Sequence, residues 1–171
     1  MPFTIIVGVQ SRTNAIGFAG KIPWKCREDM KFFRETTTKT KNHEKINAVI
    51  MGRKTFESLP APLPNRLNVV LTRNMKYDKQ SDNVIFSNNF EEIIAKLESN
   101  PDIETIFVIG GEMIYREAIY HPKCEKIYLN KIDVEVAEAD SFFPEIDEDK
   151  YVMVESTIVG PNVMGFLFER I

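Results

Sequence analysis

The sequence predicts an α/β protein with three layers: a mostly parallel central sheet, helices on both its faces, and an antiparallel hairpin at the C-terminal end. Three observations carry this prediction. Short apolar, β-branched runs recur along the chain, and such runs without polar alternation are strands covered on both faces. Helical patterns fall between them, as crossovers between parallel strands require. Near the end, two further runs flank Gly160-Pro161-Asn162, which has the chemistry of a tight turn.

Taken in order, the residues from Phe3 to Val9 form the first predicted strand. Gly8 weakens it and marks a place where another backbone or a ligand comes close. Ser11 to Gly20 carries Asn14, Gly17 and Gly20, and is either a candidate lid or an ordinary surface connection. Pro23 bars a helix and holds Ile22 extended. A helix starts near Cys26 and is expected to end before the polar, β-branched tract from Thr36 to Asn42, which reads as loop. Ala48 to Met51 is the second strand, followed by a short helix from Arg53 to Leu59 that Pro60 stops. Pro60, Pro62 and Pro64 make a stiff connector to Arg66. Leu67 to Leu71 and Val84 to Phe86 are the next strands, and a helix from Phe90 to Ser99 takes Asn88 or Asn89 as its cap. Ile106 to Ile109 ends on Gly110-Gly111, which opens a helix through Ala118. Lys126 to Leu129 is the last parallel strand. Tyr151 to Glu155 and Phe166 to Ile171 pair as the hairpin.

A chain of 171 residues is expected to form one domain, covering 1–171, with a real core. Its net charge of −3 and pI near 5.5 give no electrostatic footprint for nucleic acid. No apolar run approaches a membrane span. Met1-Pro2-Phe3 carries no basic leader, so the expected location is the cytoplasm. Cys26 and Cys124 lack a CxxC partner. With only His43 and His121 to join them, no metal site is expected. The acidic run Glu145 to Asp149 lacks the spacing and glycine of a calcium loop.

The chemistry concentrates at Asp29. In the first helical turn the macrodipole favours carboxylates, and helical spacing sets Phe32 and Phe33 beside it. Met30 and Phe33 are expected to form an apolar stripe with Asp29 at its edge, near Trp24, the chain's only tryptophan. A carboxylate so placed is poorly solvated, which raises its pKa, and it accepts strongly from a cationic or amidine-like ligand. Three strand ends carry phosphate-friendly residues: Gly52-Arg53-Lys54-Thr55, Thr72-Arg73 and Gly110-Gly111. Each alone is commonplace, but three in one sheet are not, since ligands of open sheets sit beyond the strands' carboxyl ends. Neither a Walker loop nor G-x-G-x-x-G is present. Two cationic sites beyond a pyrophosphate-type turn favour a dinucleotide with an extra phosphate, NADPH over NADH. Arg66 is placed to clamp a carboxylate bidentately.

Together these residues resemble the dihydrofolate reductase family over nearly the whole chain. The markers are Ile16-Gly17 with Ile22-Pro23-Trp24, Asp29 with Phe33, Ile50 through Thr55, and Leu63-Pro64-Asn65-Arg66. Ile109-Gly110-Gly111 with Tyr115 and Asp140 through Pro144 complete the set. The resemblance implies NADPH-dependent reduction of 7,8-dihydrofolate to tetrahydrofolate, a reaction serving one-carbon metabolism and thymidylate synthesis. The implied partners are the folate substrate and antifolate inhibitors, with no nucleic acid or membrane, and the chain is expected to act as a monomer. Asp29 would bind the 2-amino group and N3 of the pterin while water delivers a proton to N5. Trp24 would hold that water, and Ile22 would lie on the lid over the nicotinamide. Tyr115 completes the implied catalytic group. Val7, Met30, Phe33, Leu59 and Ile109 would wall the substrate, with Arg66 on its glutamate carboxylate. On the cofactor side the resemblance implies Gly8, Ile16, Gly17, Gly52, Arg53, Lys54 and Thr55. Leu71, Thr72, Arg73, Gly110, Gly111, Glu112 and Met113 join them, with 47–99 as an adenosine-side subdomain. The family joins Gly110 to Gly111 by a cis peptide. Where it usually carries a threonine bonded to the pocket carboxylate, this chain has Asn130, whose amide both donates and accepts. Two other readings compete: a related-fold NADPH reductase acting on another pterin or pyrimidine, and a non-catalytic pterin- or nucleotide-binding protein.

Overall fold

A computed structural model describes residues 2–74 and 81–171; Met1, the start of the N-terminal segment weighed above, lies outside them. In chain order the elements are β1 (Phe3–Gln10), β2 (Ala15–Gly17), α1 (Arg27–Thr38), β3 (Ile46–Gly52), α2 (Arg53–Ser58), β4 (Arg66–Leu71) and β5 (Val84–Ser87). There follow α3 (Phe90–Glu98), β6 (Ile103–Gly110), α4 (Glu112–Ile119), β7 (Cys124–Ile132), β8 (Ser141–Phe142), β9 (Tyr151–Gly160) and β10 (Val163–Arg170). Eight strands form one sheet in the order β5-β4-β3-β6-β1-β7-β10-β9. The first six in that order are parallel. β10 runs antiparallel to β7, and β9 antiparallel to β10, around the tight turn at Pro161-Asn162. The predicted fold class holds.

Strand parity divides the core. Phe3, Ile5, Val7 and Val9 of β1, with Ile106 and Val108 of β6 and Ile127 and Leu129 of β7, face α3 and α4. Alternate residues (Ile6, Phe107, Ile109 and Tyr128) face α1 and α2 on the other side. α3 buries Phe90, Ile93, Ile94 and Leu97, the spacing of one helical face, and Asn89 caps it by accepting from the Glu92 N–H at 3.1 Å. α1 is different. Of its residues only Thr37 is fully buried, and Phe32 and Phe33 are half-buried. The helix therefore stands over the sheet without sealing it.

Three expectations need correction. α1 continues through Thr38 where the threonine tract suggested loop. β-branched residues lower helix propensity by at most about 0.7 kcal/mol each. Here the cost is offset by contacts of Thr37, whose hydroxyl donates to the Phe33 carbonyl at 2.8 Å and accepts from Arg66 Nη1 at 2.9 Å. Met30 is 65% exposed, so it makes no inward stripe with Phe33. The short pair β2–β8 carried no strand-like run and was not foreseen. It ties the Ser11–Gly20 loop down: Asp140 N–H donates to the Gly17 carbonyl at 2.9 Å, and Ala19 N–H to the Asp140 carboxylate at 3.0 Å.

Candidate functional site

The carboxylate of Asp29 lies in a notch cut into the sheet surface. Gly8 of β1 pairs with Asn130 of β7, and both face α1. A Cβ at position 8 would sit 2.7 Å from Asp29 Oδ2, so the close approach signalled by Gly8 is this side chain. Its cofactor role is not where the geometry leads; Gly8 makes room for the acid. Asn130, 2% exposed, donates from Nδ2 to Asp29 Oδ1 at 2.9 Å. Burial pushes the Asp29 pKa above the ordinary carboxylate range, and the Asn130 hydrogen bond pulls it partly back. Oδ1 is thereby engaged, and Oδ2 is left for a ligand.

Asp29, Phe33 and Thr37 recur every fourth residue and so form one stripe along the inner face of α1. At its far end stands Arg66, 3% exposed, which donates from Nε to the Pro64 carbonyl at 3.0 Å and from Nη1 to Thr37. Burial, and then the charge of Arg34, lower the Arg66 pKa. Among the described residues no carboxylate pairs with it. A buried guanidinium with hydrogen bonds only to neutral oxygens is short of an anion. It borders an open depression of about 530 Å³, which Arg34, Thr38 and Lys39 also line. Thr37 follows Asp29 by eight positions on the helix, a rise of roughly 12 Å. The site thus offers an acceptor at one end, an aromatic ring midway and a cation at the other.

Across the sheet from this stripe, the tips of β3 and β6 lie side by side. The N-cap residues of α2 and α4 there are Gly52 and Gly111, and neither helix start receives a side-chain cap, unlike α3. Their first N–H groups remain open. Thr55 Oγ1 lies 3.5 Å from where a Cβ of Gly111 would be. Gly110 has φ +128 and is joined to Gly111 by a cis peptide. Among the described residues Arg53 makes only an exposed i,i+4 pair with Glu57 at 3.8 Å, and Lys54 and Arg73 are exposed. Thr72 is buried, and Leu71, at the end of β4, is half-buried. An open donor set beside three cations and two hydroxyls fits a phosphorylated dinucleotide.

Tyr115 is buried against Gly110, Ile6 and Phe143; its hydroxyl donates to the Ile6 carbonyl at 2.9 Å, and burial drives its pKa upward. With its proton so committed, it packs the strand tips and is a poor acid. Glu112 accepts from the Phe142 N–H at 2.7 Å, which clips β8 to α4. Val7 lies on the opposite face among the core residues, while Ile109 and Leu59 pack on the α1 side. Ile22 (67%) and Met113 (75%) stand exposed. Ile22 and Trp24 border a second depression of about 510 Å³ with Phe18 and Lys21, where Ile16 and Gly17 lead in from β2. Thr37 escaped the sequence reading, although the four-residue spacing from Phe33 would have found it had the helix been extended. Gly165 escaped it too, for only its cross-strand neighbour Asn130 gives it meaning.

Comparison with known proteins gives the family. The family model for dihydrofolate reductase matches residues 3–163. The chain is 39% identical over 153 residues to a dihydrofolate reductase of Aedes albopictus, covering 86% of this chain and 81% of that one. With a dihydrofolate reductase of Drosophila melanogaster it shares 36% over 149 residues, covering 85% and 81%. A bifunctional dihydrofolate reductase-thymidylate synthase of Glycine max is 45% identical over 149 residues, covering 83% of this chain but only 28% of the longer protein. With a family model that spans nearly the whole sequence and relatives near 40% identity, the chain belongs to the dihydrofolate reductase family.

Proposed function

We propose that this chain reduces 7,8-dihydrofolate to tetrahydrofolate, with NADPH as the donor. The stripe Asp29–Phe33–Thr37–Arg66 is the observation that carries the reading. Its acceptor, ring and cation answer the aminopyrimidine edge, the aromatic linker and the carboxylate of a folate, in that order and over a matching length. Asp29 Oδ2 takes the 2-amino and N3 edge of the pterin, and Arg66 the tail carboxylate. A raised carboxyl pKa suits a group that passes protons toward N5 through water near neutrality, and in this reading Trp24, which borders the depression it shares with Ile22, holds that water. Phe33 and Leu59 pack the rings and exclude bulk solvent. NADPH, when bound, supplies the hydride received at C6. Its phosphates suit the open N–H groups beyond β3 and β6, with Thr55, Thr72, Arg53, Lys54 and Arg73 around them, and the 47–99 stretch takes the adenosine side. The chain's part in the reaction is therefore juxtaposition and proton supply. Among the described residues no helix is long and apolar enough to cross a membrane.

The test is direct. Purified protein with NADPH should show a fall in NADPH absorbance that begins only on adding dihydrofolate and scales with enzyme. Consumption that stays at background across pH 5 to 8 would overturn the reading.

A further inference from the structure

The row of residues beneath Asp29 extends one strand beyond what the proposed reaction uses. Asn130 pairs with Gly8 on one side and with Gly165 of β10 on the other. Both flanking positions are glycine, and each leaves a gap that a polar side chain fills. A Cβ at Gly165 would sit 2.9 Å from Asn130 Oδ1 and 2.9 Å from Val159 Cγ2, closer than real Cβ contacts come. Asn130 Oδ1 is fully buried and, among the described residues, has no hydrogen-bond partner. Among the described residues no protein donor reaches that end of the amide, and the free volume over Gly165 lets it lie there. The other end, Nδ2, meets Asp29 at 2.9 Å. We infer that Gly165 is a positioning residue for the reductase site: the space it leaves lets the Asn130 side chain lie where its Nδ2 reaches Asp29 and donates to it.

The inference rests on the proposed folate chemistry for its kinetic meaning, although the Gly165–Asn130–Asp29 contact stands without it. An amide oriented this way presents only a donor to Asp29, which favours the carboxylate over the acid. An unpartnered buried oxygen is unfavourable, and the arrangement tolerates it because the charged hydrogen bond at the other end offsets that cost. Among the described residues two titratable groups, Cys26 and Tyr115, feel the charge of Asp29. Cys26 lies at the start of α1, and the Tyr115 hydroxyl is bonded to Ile6 of β1. Neither is cationic near neutrality. Glu28, its neighbour on α1, is turned to Gly160 at the end of β9. Among the described residues the group that lowers the Asp29 pKa is Asn130, through its hydrogen bond.

The experiment compares wild type, G165A, N130A, N130T and the double variant N130T/G165A. Two readouts apply: the carbon-13 titration of the Asp29 carboxyl in protein without ligand, and kcat/KM against pH with dihydrofolate and NADPH. G165A should raise the Asp29 midpoint and lower kcat/KM near neutral pH about tenfold, the worth of one charged hydrogen bond. In N130T the shorter side chain offers a hydroxyl to Asp29 without reaching Gly165, so N130T/G165A should titrate like N130T and recover most of that loss. An unmoved Asp29 midpoint in G165A, or a double variant no better than G165A, overturns the inference. If G165A fails to fold, N130A decides, because it removes the amide without a clash, and an unmoved midpoint there is equally fatal. Wild-type protein inactive on dihydrofolate would defeat the folate reading while leaving the titration to judge Gly165.

Discussion

Asp29 and Arg66 lie along the inner stripe of α1 with polar atoms already engaged by Asn130, Thr37 and Pro64, whereas the cations at the strand tips wait at the surface. Arg53 has its i,i+4 glutamate, and Lys54 and Arg73 are exposed. The contrast follows from solvation. A buried charge left without partners costs several kcal/mol, so the fold must supply them before any ligand arrives. An exposed cation is worth at most about 1 kcal/mol to the fold and needs nothing until a phosphate comes. Changes at the first region should therefore disturb stability together with catalysis or substrate binding, while changes at the second should disturb cofactor affinity alone.

The largest break in that contrast should come from Asp29→Asn. Turnover of dihydrofolate near neutral pH should fall at least about 100-fold, the scale of a lost proton-transfer group, while NADPH titrations stay close to wild type. The fold should respond in the opposite sense. Because burial raises the Asp29 pKa, the folded protein holds that proton more readily than the unfolded chain does. The stability contributed by this group is present below the ordinary carboxylate value and declines as pH rises through the raised one. Asp29→Asn removes that decline. Its melting temperature should exceed wild type at pH 8 and converge with it at pH 4, and a variant that melts lower at pH 8 would contradict the buried-acid account.

Arg66→Ala should come next. With no guanidinium to meet the tail carboxylate, KM for dihydrofolate should rise roughly 10- to 100-fold, as expected for charge-assisted hydrogen bonds. The value of kcat should move far less, and a pterin lacking the tail should lose little between wild type and variant. Equal losses on both substrates would show Arg66 to be structural only. Gly8→Ala sharpens the other end: a Cβ 2.7 Å from Asp29 Oδ2 must displace the acid or the strand. Denaturant melts should show about 1–3 kcal/mol of destabilisation, with turnover lowered in step. The smallest effect belongs to the strand tips. Lys54→Ala combined with Arg73→Ala should leave the melting temperature within about 1 °C and reduce the preference for NADPH over NADH several-fold, more at low salt than at high. A large loss of stability there would erase the distinction between the two regions.

Much of the fold was readable because it is written locally. β-branched runs declare strands wherever they occur, and the residues Phe90, Ile93, Ile94 and Leu97 declare a helix face without help from elsewhere. The site was readable where residue type is itself unusual: a lone acid among rings, glycines ending strands, and an arginine after a proline-rich connector. Thr37 was lost because propensity argued for loop while a partner 29 residues away, Arg66, decided for helix. The exposure of Met30 was lost because helical spacing says which residues share a face, but not which face turns to the sheet.

The amino acids in order therefore determined the alternation of strand and helix, the parallel class of the sheet, and the identities of the acid and the cations. Tertiary structure alone decided that Gly8, Asn130 and Gly165 fall in one row across three strands. It also decided that an amide 101 residues from Asp29 holds the acid's oxygen. The reason is physical. Periodicity is a property of neighbours along the chain and can be read from it. Register between distant strands is settled by the packing of the whole sheet, and with it the gap that each missing side chain leaves.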